Sequence, residues 1–114
     1  VVDLNDYLQV DAYEAPLPIR LQVQERDTCC SFPWCGGTGR FDLDHIVEYV
    51  PPEDGGPPGQ TNTLNLSKLC RFHHRLKTHT RSWRYHRQPD QSLVWQSPAG
   101  YCYRVDGTGT TSIL

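Results

Sequence analysis

Hydrophobic and polar positions alternate only in short stretches, so the chain predicts many short elements. Val1, Val2, Leu4, Tyr7, Leu8, Val10 and Tyr13 are spread among acids without a clear period, which predicts an extended arm over 1–15 packed on the body. Pro16 and Pro18 precede Ile19-Arg20-Leu21-Gln22-Val23-Gln24-Glu25-Arg26-Asp27. Proline suits a first helical turn, so a short helix is expected there, with Ile19, Val23 and Arg26 along one side. Phe41 to Val50 is rich in strand formers and partly alternating, and Thr61 to Leu66 can return as a second strand. Between them, Pro51-Pro52-Glu53-Asp54-Gly55-Gly56-Pro57-Pro58-Gly59 can be neither strand nor helix. Ser67 is a plausible N-cap for a helix from Lys68 to about Thr78. Trp83–Arg87, Leu93–Trp95 and Tyr101–Val105 predict three further strands, and the Gly- and Thr-rich last nine residues predict a frayed end. The elements make an α+β domain, with no internal repeat.

Composition changes this picture in one respect. With 114 residues, 37% apolar content, nine Gly and nine Pro, the chain has little core to fold on and calls for a staple, a metal or a disulfide. No apolar run is long enough to span a bilayer and no signal-peptide pattern is present. The chain begins with Val and has no Met, which suggests a processed product or, in preference, a piece of a longer polypeptide. Five cysteines rule out a fully paired disulfide framework. Cys30 and Cys35 form C-x4-C, Cys70 and His73 form C-x2-H, and Gly36-Gly37 lets the backbone turn back after the second thiol. This is zinc-ligand spacing. Cys30 is chosen over its neighbour Cys29 because it gives the matching spacing, and His73 over His74 because C-x2-H is the tighter knuckle. Thiolate ligation implies a reducing, cytoplasmic setting. Four protein ligands leave no open position, so the expected zinc is structural. Cys29 and Cys102 read as small buried or half-buried hydrophobes.

Charge is uneven along the chain. Residues 1–60 carry 11 acids and 3 bases, and residues 61–114 carry 2 acids and 8 bases. Lys68 to Arg87 holds seven Lys/Arg and no acid. Such a block fits either a phosphate-facing surface or a solvated face that offsets the acidic half. Within it, Leu69-Cys70-Arg71-Phe72-His73-His74-Arg75-Leu76-Lys77 puts a cysteine, two histidines and three cations in nine residues.

The order of these features resembles the HNH endonucleases, whose core is a ββα-metal unit in a zinc-bound, treble-clef-like frame. The residues that carry the resemblance are Asp42-Leu43-Asp44-His45-Ile46-Val47 and the run from Asn65 through His79, with His45, Asn65 and His74 at the three named letters. The flanks, from Val2-Asp3-Leu4-Asn5 to Ser97-Pro98-Ala99-Gly100, resemble a bacterial branch in which this unit closes a longer protein whose N-terminal domain has no assigned function. The likeness covers nearly the whole chain; the doubled Cys29-Cys30 and Pro18 depart from it.

Phosphodiester hydrolysis needs an activated water, a cation for the charge on phosphorus, and help for the leaving oxygen. Histidine takes a proton near neutral pH, which makes His45 the candidate base. Asp44 and His74 are candidate ligands for Mg²⁺, Mn²⁺ or a similar ion, and the resemblance implies the same roles. Asn65 is expected to hold the hairpin and orient His45 by hydrogen bonding. Arg71, Arg75, Lys77 and His79 are candidate phosphate contacts. Asp44 and His45 are neighbours, so a regular strand would point them to opposite faces; both serve one phosphate only where the strand ends or twists. The expected function is a metal-dependent DNA endonuclease. The alternatives are a non-catalytic zinc module that binds nucleic acid or a protein, and a disulfide-stapled structural domain.

Overall fold

A computed structural model describes residues 2–113; Val1 of the arm and Leu114 of the tail lie outside the described residues. The fold is α+β. The strands are β1 (Gln9–Val10), β2 (Phe41–His45), β3 (Thr61–Asn62), β4 (Leu66–Cys70), β5 (Arg84–Arg87), β6 (Leu93–Gln96), β7 (Cys102–Asp106) and β8 (Gly109–Ile113). The helices are α1 (Leu17–Arg26) and α2 (Arg71–Thr80), with a 3₁₀ turn at Pro52–Asp54.

α1 begins as the prolines require. Pro16 is its N-cap and Pro18 sits in the first turn, where a missing N–H costs nothing. Its inner face is Ile19, Gln22 and Val23, and Leu21 stays outside. Ile19 and Val23 pack with Leu66, with Leu8, Val10 and Leu43 beside them. Gln22 is buried and ties down the arm: its amide donates to the carbonyls of Asp3 (3.0 Å) and Asp6 (2.7 Å) and accepts from Thr63 (2.6 Å). The arm also pairs β1 with β3, Gln9 opposite Asn62 and Val10 opposite Thr61.

The central hairpin differs from expectation. β2 pairs antiparallel with β4, Asp44 opposite Ser67 and Phe41 opposite Cys70. The return strand is therefore 66–70, not 61–66, and α2 starts at Arg71 with Cys70 as its N-cap. Ser67 is no cap. It is fully buried, and its hydroxyl lies 2.5 Å from that of Tyr85. Lys68 lies over the Phe41 ring, 4.4 Å from the centroid. β4 is covered on both sides, by α1 at Leu66 and by the C-terminal core at Leu69, and a strand buried on both faces loses the alternation that marks one. β2 is also shorter than expected, because after His45 the chain leaves the ladder and the Ile46 N–H bonds to the Asn65 carbonyl at 2.8 Å.

β5 to β8 form an antiparallel meander in sequence order. The tail expected to fray instead supplies β8, paired with β7 from Cys102–Ile113 to Asp106–Gly109. The main core lies between this sheet and the hairpin: Cys30, Phe32, Leu69, Tyr85, Leu93 and Trp95. Trp95 is fully buried and stacks on Tyr85 at 3.8 Å, so it belongs to the core. Among the described residues no helix is long and apolar enough to cross a membrane.

Candidate functional site

Helix α2 presents two different sites from adjacent residues. On one side, Cys30, Cys35, Cys70 and His73 bring one ligand atom each within 4.8 Å of one another. The pieces come from two places. The loop 30–37 closes through Cys30 N–H to the Gly37 carbonyl (2.9 Å) and Cys35 N–H to the Phe32 carbonyl (3.1 Å). At Gly37 a Cβ would lie 3.3 Å from the Cys35 sulfur, so the missing side chain lets the loop fold close to the thiol. Cys70 and His73 come from the β4–α2 junction, and Ser31 N–H binds the Lys68 carbonyl at 2.8 Å to join the two pieces.

The His73 Nδ1 lies 3.2 Å from the Cys70 sulfur and 3.7 Å from that of Cys30. Tetrahedral zinc, with bonds of about 2.3 Å to sulfur and about 2.0 Å to nitrogen, needs neighbouring ligands about 3.5 Å apart. Phe32 stacks on the His73 ring at 3.9 Å and 3°, which fixes its plane. Burial pushes the Cys30 thiol up to about 12 and the His73 imidazole down. The donor set fits a metal ion and is compatible with structural zinc. Cys30, not Cys29, is the member.

On the other side, His74 meets strand β2. Asp42 and Asp44 are two residues apart and share a face of the strand. They bracket the imidazole, with Nδ1 3.1 Å from Asp42 Oδ2 and Nε2 3.6 Å from Asp44 Oδ1. With Nδ1–H donated to Asp42, the Nε2 lone pair faces a carboxylate oxygen. A metal-ligating histidine commonly donates its other N–H to a carboxylate in this way. Asp44 is 4% exposed. Its second oxygen, Oδ2, accepts from Lys77 Nζ and from the Tyr85 hydroxyl, each at 2.6 Å. Burial and the Asp44 charge hold the Tyr85 phenol well above its ordinary range, so it remains a donor.

His45, the next residue, lines the same cavity of about 460 Å³ as Asp44 and His74. The strand ends there, which removes the conflict between neighbours on one strand. Its Nε2 is 2.9 Å from the Thr61 hydroxyl, and that hydroxyl lies 2.6 Å from the Ala12 carbonyl. A hydroxyl has one proton. Given to the carbonyl, it leaves the oxygen to accept from Nε2–H and leaves Nδ1 as the basic nitrogen. Burial lowers the His45 imidazole below its ordinary value; Asp44 opposes this, and Lys77 and His74 add to it. Tyr13 and Tyr49 pack on the ring at 5.2 and 5.5 Å.

Asn65 works one step away. Its side chain accepts from Val47 N–H (2.8 Å) and donates to the carbonyls of Val47 (3.1 Å) and Gln60 (2.9 Å), so it fastens the loop after β2 and not the His45 ring. Thr61 is the partner of that ring. Lys77, a candidate phosphate contact, is turned inward: only 15% of its side chain is exposed, and its ammonium goes to Asp44 and to the His45 carbonyl at 2.8 Å. Arg75 and His79 are exposed on α2, and Arg71, half-exposed, approaches Asp42 at 3.6 Å. Thr61, Tyr85 and Asp42 are the contacts of His45, Asp44 and His74 that sequence reasoning missed. Only Asp42 left a signal, as the i−2 partner of Asp44 on a strand.

No family model matches this chain, and no solved structure matches it. The uncharacterized protein Rv3776 of Mycobacterium tuberculosis (strain H37Rv) is 40% identical over 82 residues, which is 71% of this chain and 14% of that protein. The uncharacterized protein Rv2100 of the same strain is 38% identical over 82 residues, with the same coverage. The chain thus spans about 14% of the length of the curated relatives it matches.

Proposed function

We propose that this chain is a metal-dependent DNA endonuclease domain of the HNH kind, with a closed structural zinc in Cys30, Cys35, Cys70 and His73. The observation that carries the reading is the approach of His74 Nε2 to Asp44 Oδ1 at 3.6 Å, beside His45 in one cavity. His45 Nδ1, the basic nitrogen when Thr61 receives Nε2–H, takes the proton from the attacking water. Burial keeps the ring neutral and ready to accept. Asp44 and His74 would hold a divalent ion, which would supply positive charge for the phosphoryl oxygen and the leaving oxygen. Asp42 sets the His74 tautomer, and Lys77 and Tyr85 hold the Asp44 carboxylate in place. The hydrolysis leaves the base protonated, and His45 returns that proton to solvent before the next cycle. Arg75 and His79 on the outer face of α2 are left to meet the phosphate backbone, with sequence-independent contacts.

The test is nicking of supercoiled plasmid by the purified chain with Mg²⁺ or Mn²⁺, with and without chelator. Metal-dependent relaxation that disappears in His45→Ala supports the reading. Equal behaviour of wild type and His45→Ala overturns it, and salt-sensitive binding without cleavage assigns the chain to a non-catalytic nucleic-acid module instead.

A further inference from the structure

Lys77 sits where a nuclease would seem to need it least. Its ammonium is 2.6 Å from Asp44 Oδ2 and 2.8 Å from the His45 carbonyl, largely out of water. It lies against the Tyr85 ring at 5.0 Å, and Tyr85 donates to the same carboxylate oxygen. These contacts hold Oδ2 at the back of the site and leave Oδ1 facing His74. They also neutralise Asp44 before any ion arrives. Asp42 is similarly engaged, by His74 Nδ1 and by Arg71 at 3.6 Å. Asp44 is thus paired with a largely buried ammonium and Asp42 lies near the exposed Arg71 guanidinium, so an entering divalent ion meets less net negative charge than two free carboxylates would offer. A phosphodiester restores it.

We propose that Lys77 makes ion binding depend on the substrate: the free protein holds a divalent ion weakly, and the ion and a phosphodiester bind together. The inference rests on Asp44 and His74 as the ion's ligands. Coupling of this kind is reciprocal, so the ion tightens DNA binding by the same factor. Lys77 is a positioning residue here, acting through Asp44. It also keeps the buried carboxylate paired while no ion is present, which a buried charge requires.

The experiment is Mn²⁺ titration, read by the EPR signal of free Mn²⁺, on zinc-loaded protein in a His45→Ala background that keeps DNA intact. His74→Ala in that background, with the same duplex, is the blank for ions held by DNA itself. A short duplex is expected to tighten Mn²⁺ binding by at least about tenfold, or about 1.4 kcal/mol. Lys77→Met is expected to bind Mn²⁺ at least about tenfold tighter without DNA and to lose most of the gain from DNA. Lys77→Arg, which keeps the charge, is expected to resemble the parent. Equal Mn²⁺ affinity in parent and folded Lys77→Met overturns the inference, as does tight binding by the parent without DNA. If Lys77→Met melts below the assay temperature, a larger rise in its Tm with Mn²⁺ than in the parent supports the inference, and no rise overturns it. Failure of the parent to hold Mn²⁺ beyond the blank, even with DNA, removes the underlying assignment of Asp44 and His74 as well.

Discussion

His73 and His74 are adjacent on one helix, yet they belong to environments with opposite designs. His73 is closed in by three thiols and by a phenylalanine ring stacked at 3.9 Å. His74 opens on a cavity of about 460 Å³ and is bracketed by two carboxylates. A step of about 100° around the helix separates the two. The closed side has every donor committed, which suits a structural ion. The open side brings His74 Nε2 and Asp44 Oδ1 to 3.6 Å at the cavity, which suits an ion that also meets a substrate. The comparison teaches that neighbouring histidines need not share a role when a helix passes between a knuckle and a hairpin.

Four changes break or sharpen this contrast. The largest effect is expected from His73→Ala. Loss of one ligand from a site that substitutes for core should unfold the domain, as should stripping the metal with a strong chelator, and far-UV circular dichroism with zinc quantitation reads both. If His73→Ala keeps its zinc and a native spectrum, the closed site is not what holds the fold. Next, His74→Ala should leave zinc content and melting nearly unchanged while plasmid nicking falls by about 10²-fold or more. Equal melting losses in the two histidine variants would erase the division of labour.

A smaller effect is expected from Tyr85→Phe. It removes one of two donors to Asp44 Oδ2 and leaves the Ser67 hydroxyl without its partner, costing about 1–3 kcal/mol of stability in denaturant titrations. A midpoint unchanged within error would mean that the Asp44 network carries no weight. The smallest belongs to Arg75→Ala on the exposed face of α2. DNA affinity should weaken modestly, and the slope of log affinity against log salt should become shallower by about one unit. An unaltered slope would place the DNA path on another face.

The Cys30, Cys35, Cys70 and His73 cluster was legible because its members lie in two short spacings that need only local turns, C-x4-C and C-x2-H. The Asp44–His45 pair was legible as chemistry but not as geometry, since only the end of β2 at His45 lets both residues reach one cavity. The polar run Ser67-Lys68 misled the boundary of α2. Local propensity favoured a cap, whereas burial of β4 between two cores decided for a strand. β8 was missed because Gly and Thr carry little hydrophobic pattern, while backbone pairing with β7 needs none. Thr61 and Tyr85 left no trace in the sequence. Thr61 lies 16 residues from the ring it serves and Tyr85 lies 41 from its carboxylate, so the closed fold alone brings them together.

The arm has a kinetic meaning of its own. The Ala12 carbonyl takes the Thr61 proton, and the strand that delivers it, Gln9–Val10, is two residues long. Short strands at the edge of a fold open most often. Each time the arm lifts, the Thr61 hydroxyl is released to donate to His45 Nε2 instead, the proton on the ring shifts to Nδ1, and the lone pair is spent inward. Under the proposed nuclease reading, the fraction of time that the arm is docked would set a ceiling on turnover, and amide exchange at Val10 would report that fraction without any DNA present.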